Sequence, residues 1–159
     1  MASTRDLRRR IKSVTGTSKI TKAMQMVASS KMRRAQQAAL AGRPYAELMA
    51  SIVADLGGDL REVSHPLLDQ REVRKTAVLL VTSDKGLCGA LNANLLREAA
   101  RMDRDKTVFV CAGRKGAQFV GRTKRNLAAD FSYSDTPTFA EARAISKFIQ
   151  GLFIQGEVD

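Results

Sequence analysis

The residues of this chain best placed to do chemistry lie in one short turn, S-D-K-G-L-C-G, from Ser83 to Gly89. A glycine-bearing turn between a strand and a helix is where open α/β sheets hold ligands, and a helix N-terminus attracts phosphate. The spacing is neither that of a G-x-x-x-x-G-K-[ST] phosphate loop nor that of a G-x-G-x-x-G fingerprint, and Asp84 would repel a phosphate. Three readings stand side by side: a nucleotide site, a tight turn that needs its glycines, and a surface loop that docks a protein. Gly113-Arg114-Lys115-Gly116 raises the same question with a weaker signal. Elsewhere there is no Ser/His/Asp set, no Cys near a suitable His and no cluster of metal ligands. Cys88 and Cys111 fit no close-spaced metal or redox motif and read as free thiols in a reducing compartment. His65, the only histidine, stands beside Pro66 and suits a loop. Asp103 and Asp105 alternate with Arg104 and Lys106, as at a solvated helix end. The expectation is a protein without catalytic residues, cofactor or metal of its own.

Charge is the second feature. Between Met1 and Arg43 eleven Lys and Arg side chains meet one acid, Asp6, so this stretch carries +10 of the chain's +11. A near-neutral body thus bears a basic arm, and the arm must meet something acidic. Nucleic acid is one candidate. Against it, no aromatic residue interleaves with the charges, since the only aromatic before Phe109 is Tyr45. The basic and apolar residues also share one stretch, whereas a bZIP protein separates them. A membrane surface is a second candidate, but the apolar residues are Ala and Met where Leu, Phe or Trp would be wanted. A protein partner with acidic loops fits best. No apolar run is long enough to span a bilayer, and no apolar stretch follows the first basic residues as a secretory signal requires.

The elements that must position these groups read as follows. With hydrophobic residues at 44%, the chain has enough apolar matter for a core and too much for disorder. From Ser3 to about Leu56 apolar residues recur at steps of three and four: Leu7, Ile11, Val14; Ile20, Met24, Val27; Ala28, Met32, Ala35, Ala39; Tyr45, Leu48, Ile52, Leu56. This predicts one amphipathic helix spanning roughly 80 Å, far longer than a globular helix needs, and so a coiled coil or shaft. Thr17, Ser18 and Thr21 intrude on its stripe, and Gly57, Gly58 and Asp59 end it. Thr76–Thr82 and Thr107–Ala112 read as short buried strands. Between them a helix presents Leu91, Leu95, Ala99 and Met102 as its apolar face. A short helix over Gly116 to about Arg125 follows, then a helix from Thr138 to about Ile154. The latter has a capping box, Thr138 and Glu141, and an apolar face of Ala142, Ile145, Ile149 and Leu152. Strand, helix, strand, helix implies parallel strands with right-handed crossovers, hence a small α/β domain after a long helix.

Several strings resemble the gamma subunit of the rotary, F-type ATP synthase. They are S-K-I-T-K-A-M-Q-M-V-A-S-S-K-M-R-R-A-Q (Ser18 to Gln36), R-P-Y-A-E (Arg43 to Glu47), H-P-L-L (His65 to Leu68) and S-D-K-G-L-C-G-A-L-N (Ser83 to Asn92). The resemblance implies a long N-terminal coiled-coil helix followed by a small Rossmann-like α/β domain. It implies a shaft over 1–58, a linker over 59–75 and an α/β foot over 76–159, with the foot incomplete. The implied role is a central-stalk rotor subunit without catalytic residues, transmitting rotation from a membrane ring to a catalytic ring. Implied partners are the alpha and beta subunits, the epsilon subunit and the membrane c-ring, with no nucleic acid. Implied contacts with acidic loops of the ring are Lys19, Lys22, Met24, Lys31, Arg33 and Arg34 on the helix, and Asp84, Lys85, Gly86, Leu87 and Cys88 in the turn. The implied location is peripheral, on the cytoplasmic face of a bacterial inner membrane rather than an organelle membrane. Members of the family continue into a long C-terminal helix that this sequence lacks, so a portion of a longer gamma subunit is expected. The alternative from another class is a nucleic-acid-binding protein with a basic helical arm.

Overall fold

The computed structural model describes residues 3–56, 65–68, 71–134 and 136–159. The chain divides into two units, Met1–Arg61 and Glu62–Asp159.

The first unit is one helix, α1 (Thr4–Leu56), of 53 residues. Ser3 opens it, its Oγ accepting the Arg5 N–H at 3.3 Å. At about 1.5 Å per residue it runs for roughly 80 Å, as its periodicity predicts. Two of the intruding hydroxyls turn back onto the helix itself: Thr17 Oγ1 donates to the Ser13 carbonyl at 3.1 Å and Thr21 Oγ1 to the Thr17 carbonyl at 2.5 Å. They therefore need no outside partner. Pro44 lies inside the helix, where it removes one N–H from the ladder. At about 100° per residue the Leu7–Ile11–Val14 group and the Ile20–Met24–Val27 group lie more than about 100° apart around the axis. The apolar stripe winds around α1 rather than following one straight face. Gly57, Gly58 and Asp59, expected to end the helix, lie outside the described residues.

The second unit is a three-stranded parallel sheet of β1 (Thr76–Val81), β2 (Thr107–Ala112) and β3 (Asn126–Phe131), in the order β1-β2-β3. Helices α2 (Leu91–Arg101), α3 (Arg114–Arg122) and α4 (Phe139–Ile154) alternate with the strands. All six residues of the central strand β2 are buried because both of its faces are covered. On one face Phe109 and Cys111 pack with Leu80, with Ala99 of α2 and with Val120 of α3. On the other, Val108 and Val110 meet Leu152 of α4 and Val158, with Phe131, Phe148 and Phe153 around them. Phe131 and Phe148 meet edge to face, centroids 5.7 Å apart. Thr138 and Glu141 form both halves of the capping box at the start of α4.

Three expectations are corrected and one strand is added. β1 is not a buried strand: only Leu80 is buried, while Leu79 and Val81 are 42% and 54% exposed. Among the described strands β1 is an edge, and its composition alone could not distinguish edge from centre. The inward face of α2 is Asn92, Leu96 and Ala99; of the expected face only Ala99 is buried, Leu91 is exposed, and Leu95 and Met102 lie at the margin of that face, 37% and 38% exposed. On α4, Ala142 is exposed and Phe148 and Phe153 take its place beside Ile149 and Leu152. The strand β3 was not expected at all. It carries one irregularity, Ala128 being skipped where Phe109 pairs with Leu127 and Val110 with Ala129.

Candidate functional site

The two groups of predicted contact residues fall in different units. Lys19, Lys22, Met24, Lys31, Arg33 and Arg34 all lie on α1 and are all exposed. On an ideal helix Lys19, Lys22 and Arg33 fall within about 60° of one another, whereas Met24 and Lys31 lie about 120–180° from that arc. The helix thus offers a basic side and, on another side, Met24 with Lys31.

The second group is the loop from Ser83 to Cys88, between β1 and α2. Its base is bonded to its surroundings at three points. Asn92, on the first turn of α2, accepts the Ser83 N–H at 3.3 Å and donates through Nδ2 to Ser83 Oγ at 2.7 Å and to Cys88 Sγ at 3.2 Å. Asp84 reaches across to α3, its Oδ1 accepting the Arg114 N–H at 2.8 Å and its carbonyl accepting from the Arg114 guanidinium at 3.2 and 3.4 Å. Tyr133 donates its hydroxyl to the Thr82 carbonyl. Burial, and secondarily the charge of Asp84, push the Tyr133 phenol upward, so it stays a donor at neutral pH.

This geometry answers the question raised by Gly113 and Gly116. Gly113 has φ 111°, and a Cβ there would come within 2.0 Å of the Thr82 carbonyl oxygen. A Cβ on Gly116 would stand 3.1 Å from Thr82 Oγ1, which accepts the Gly116 N–H at 2.8 Å. These glycines let α3 approach the end of β1, which is a packing requirement. The N-terminus of α3, where a phosphate would bind, holds the Asp84 carboxylate. The adjoining cleft of about 590 Å³ is lined by Lys85 and Arg114 but equally by Asp84 and Asp130, so its charge does not select an anion. A second cleft of about 640 Å³ lies at the opposite ends of the strands, among Arg71, Arg74, Lys75, Glu72, Glu157 and Asp159.

What remains exposed is the tip of the loop: Lys85, Gly86 and Leu87. Leu87 is 101% exposed and has φ 62°, a left-handed conformation that few residues other than glycine adopt. Cys88 is half-buried and Cys111 fully buried, both as free thiols. Burial, then the charge of Asp130, raise the Cys111 thiol to about 11. His65 Nδ1 accepts the Leu67 N–H at 3.2 Å and opens a short 3-10 turn, Pro66–Leu68. Asp103 is a turn residue, its Oδ1 accepting the N–H groups of Asp105 and Lys106 at 2.9 and 3.1 Å. Sequence reasoning missed Asn92, Tyr133 and Thr82. Of these only Asn92 carried a signal, a polar residue within an apolar helix start. Among the described residues no three His, Cys, Asp or Glu could hold a metal ion, and no helix is long and apolar enough to cross a membrane.

A family model described as ATP synthase matches residues 3–159. The ATP synthase gamma chain of Opitutus terrae is 55% identical over 159 residues, covering 100% of this chain and 54% of that protein. The gamma chain of Methylacidiphilum infernorum is 44% identical over 164 residues, covering 100% of this chain and 56% of the other. The chain spans about half the length of the curated relatives it matches. Among solved structures, a chain in the central stalk and c-ring of the Tetrahymena thermophila mitochondrial ATP synthase superposes with TM-score 0.63 at 29% identity, over 82% of this chain and 58% of that one. A chain in the rotor of the Euglena gracilis enzyme gives 0.62 at 16% identity, over 92% of this chain and 52% of that one, a likeness of fold alone.

Proposed function

The chain belongs to the ATP synthase family, with gamma chains as its relatives, and from that premise we propose that it is a central-stalk rotor subunit, or the N-terminal part of one. In this reading α1 is the shaft, residues 59–75 the linker and residues 76–159 the foot. The shaft transmits rotation from a membrane ring to a catalytic ring of alpha and beta subunits, and the foot meets an epsilon subunit and the c-ring. The chain itself contributes no catalytic residue, and nucleotide chemistry belongs to the ring. Its place is peripheral, on the cytoplasmic face of a bacterial inner membrane.

The observation that carries this reading is α1: 53 helical residues with an exposed basic side and an exposed, winding stripe of small apolar groups. Lys19, Lys22, Arg33 and Arg34 would face acidic loops of the ring from the basic side, and Lys31 would do so from the other side, beside Met24. Lys85, Gly86, Leu87 and Cys88 would form a second contact at the loop tip. Long-range attraction brings a basic shaft into an acidic bearing, while exposed ion pairs, each worth at most about 1 kcal/mol, remain exchangeable as it turns. The test is binding of the chain to an isolated alpha/beta ring, read by co-elution and by the rate of ATP hydrolysis. One-to-one binding with altered hydrolysis is expected, and Lys19→Glu with Lys22→Glu should weaken it more than either alone. A chain that ignores the ring and instead binds duplex DNA or RNA with a steep salt dependence would overturn the proposal.

A further inference from the structure

Resting on the docking role proposed for the Ser83–Cys88 loop, we infer that its residues divide into a positioning residue, Asp84, which faces inward and touches no partner, and an anchor, Leu87, which enters an apolar pocket rimmed by carboxylates on the partner. Asp84 is committed to α3. Its carboxylate takes the Arg114 N–H at 2.8 Å and its carbonyl takes the Arg114 guanidinium. A side chain that caps a helix N-terminus has its charge already offset by the helix dipole. Asn92 clamps the other end of the loop through Ser83 and Cys88.

Between these two clamps the chain rises into Leu87. A leucine wholly in water loses the burial that is its usual contribution, and a left-handed leucine adds backbone strain. Neither feature is repaid within the described residues, and both are removed or offset if the side chain is buried in a partner. Lys85, two residues earlier on the same tip, supplies the cation for the pocket's acidic rim. Leu91, 56% exposed in the first turn of α2, extends the apolar surface next to it.

The experiment uses the whole chain and an isolated alpha/beta ring as the probe, with Asp84→Ala, Asp84→Asn and Leu87→Ser compared with the parent. Two quantities are read: ring affinity, and the rate at which trypsin releases the fragment ending at Lys85 when no ring is present. Asp84→Ala should speed that cleavage about tenfold by loosening the loop and weaken ring binding. Asp84→Asn, which keeps an acceptor oxygen, should restore most of both. Leu87→Ser should leave cleavage and Tm unchanged yet lower ring affinity about tenfold or more. Asp84→Ala that cleaves and binds like the parent would overturn the positioning role, and Leu87→Ser that binds like the parent would overturn the anchor. If the parent itself does not bind the ring, the docking reading fails and the anchor with it, while the cleavage rates still decide whether Asp84 positions the loop.

Discussion

Glu141 shows how a single half-buried side chain supports an element. Its carboxylate accepts the N–H of Thr138 at 2.6 Å and that of Ser134 at 3.0 Å. These bonds, with the Thr138 N–H the largest cause, hold its carboxyl below the usual range. Asp103 and Asp159 are lowered in the same way, by the N–H groups of Lys106 and Asp105 and of Arg74 and Lys75. A carboxyl with a depressed folded pKa contributes its stability above the unfolded value, about 4.3 for Glu. That contribution is lost as pH falls through the lower folded value. The Tm of the second unit should therefore fall progressively as pH drops below about 5. Glu141→Gln keeps an acceptor for the box but does not titrate, so it should make that drop shallower. Equal slopes for parent and variant would remove Glu141 from the account.

At the level of elements, β2 and α2 make opposite predictions. Phe109 is fully buried, and Phe109→Ala should cost about 3–5 kcal/mol. Leu91 is exposed, and Leu91→Ala should change stability by less than about 0.5 kcal/mol. Urea titrations in a Tyr45→Phe background, which leaves Tyr133 as the sole tyrosine, followed by its emission, would check both, and the reverse order would place the core on the Leu91–Leu95 side of α2. The bounds of α1, β2 and α4 were legible in the sequence because each has a strong local signal: a long helical period, an uncharged β-branched run, a capping box. β3 was not, since N-L-A-A-D-F contains no β-branched residue and carries Asn and Asp, both poor strand formers. The inward face of α2 was misread for a similar reason. Leu91 and Leu95 outrank Asn92 in hydrophobicity, yet Asn92 turns inward because its amide bonds to Ser83 and Cys88. In the loop the sequence put Asp84, Lys85, Gly86, Leu87 and Cys88 in one group, but did not show which of them face inward and which stay exposed. That Asp84 serves α3 depends on Arg114, 30 residues away, a separation that no local pattern reports.

For the molecule as a whole, the uneven charge predicts an uneven response to salt. Arg5, Arg8, Arg9 and Lys12 are like charges three and four apart on α1, and such pairs each weaken a helix by about 0.2–0.5 kcal/mol. Raising NaCl from about 0.01 to about 0.5 M shortens the screening length several-fold. Helical signal in far-UV circular dichroism should grow while, in the Tyr45→Phe background, the Tyr133-reported transition of the near-neutral second unit hardly moves. No gain in helicity would mean that charge repulsion is not what limits α1. The spacing of the strands also sets an order of events during synthesis. β1 cannot pair until Thr107–Ala112 has been made, and at roughly 5–20 residues per second that leaves α1 without a folded sheet behind it for several seconds. During that interval a winding run of exposed apolar side chains on a newborn chain invites neighbouring copies to stick together. The charges proposed to draw α1 toward an acidic partner would be the same ones that hold those copies apart, so the helix would bring its own protection against aggregation before anything is present to receive it.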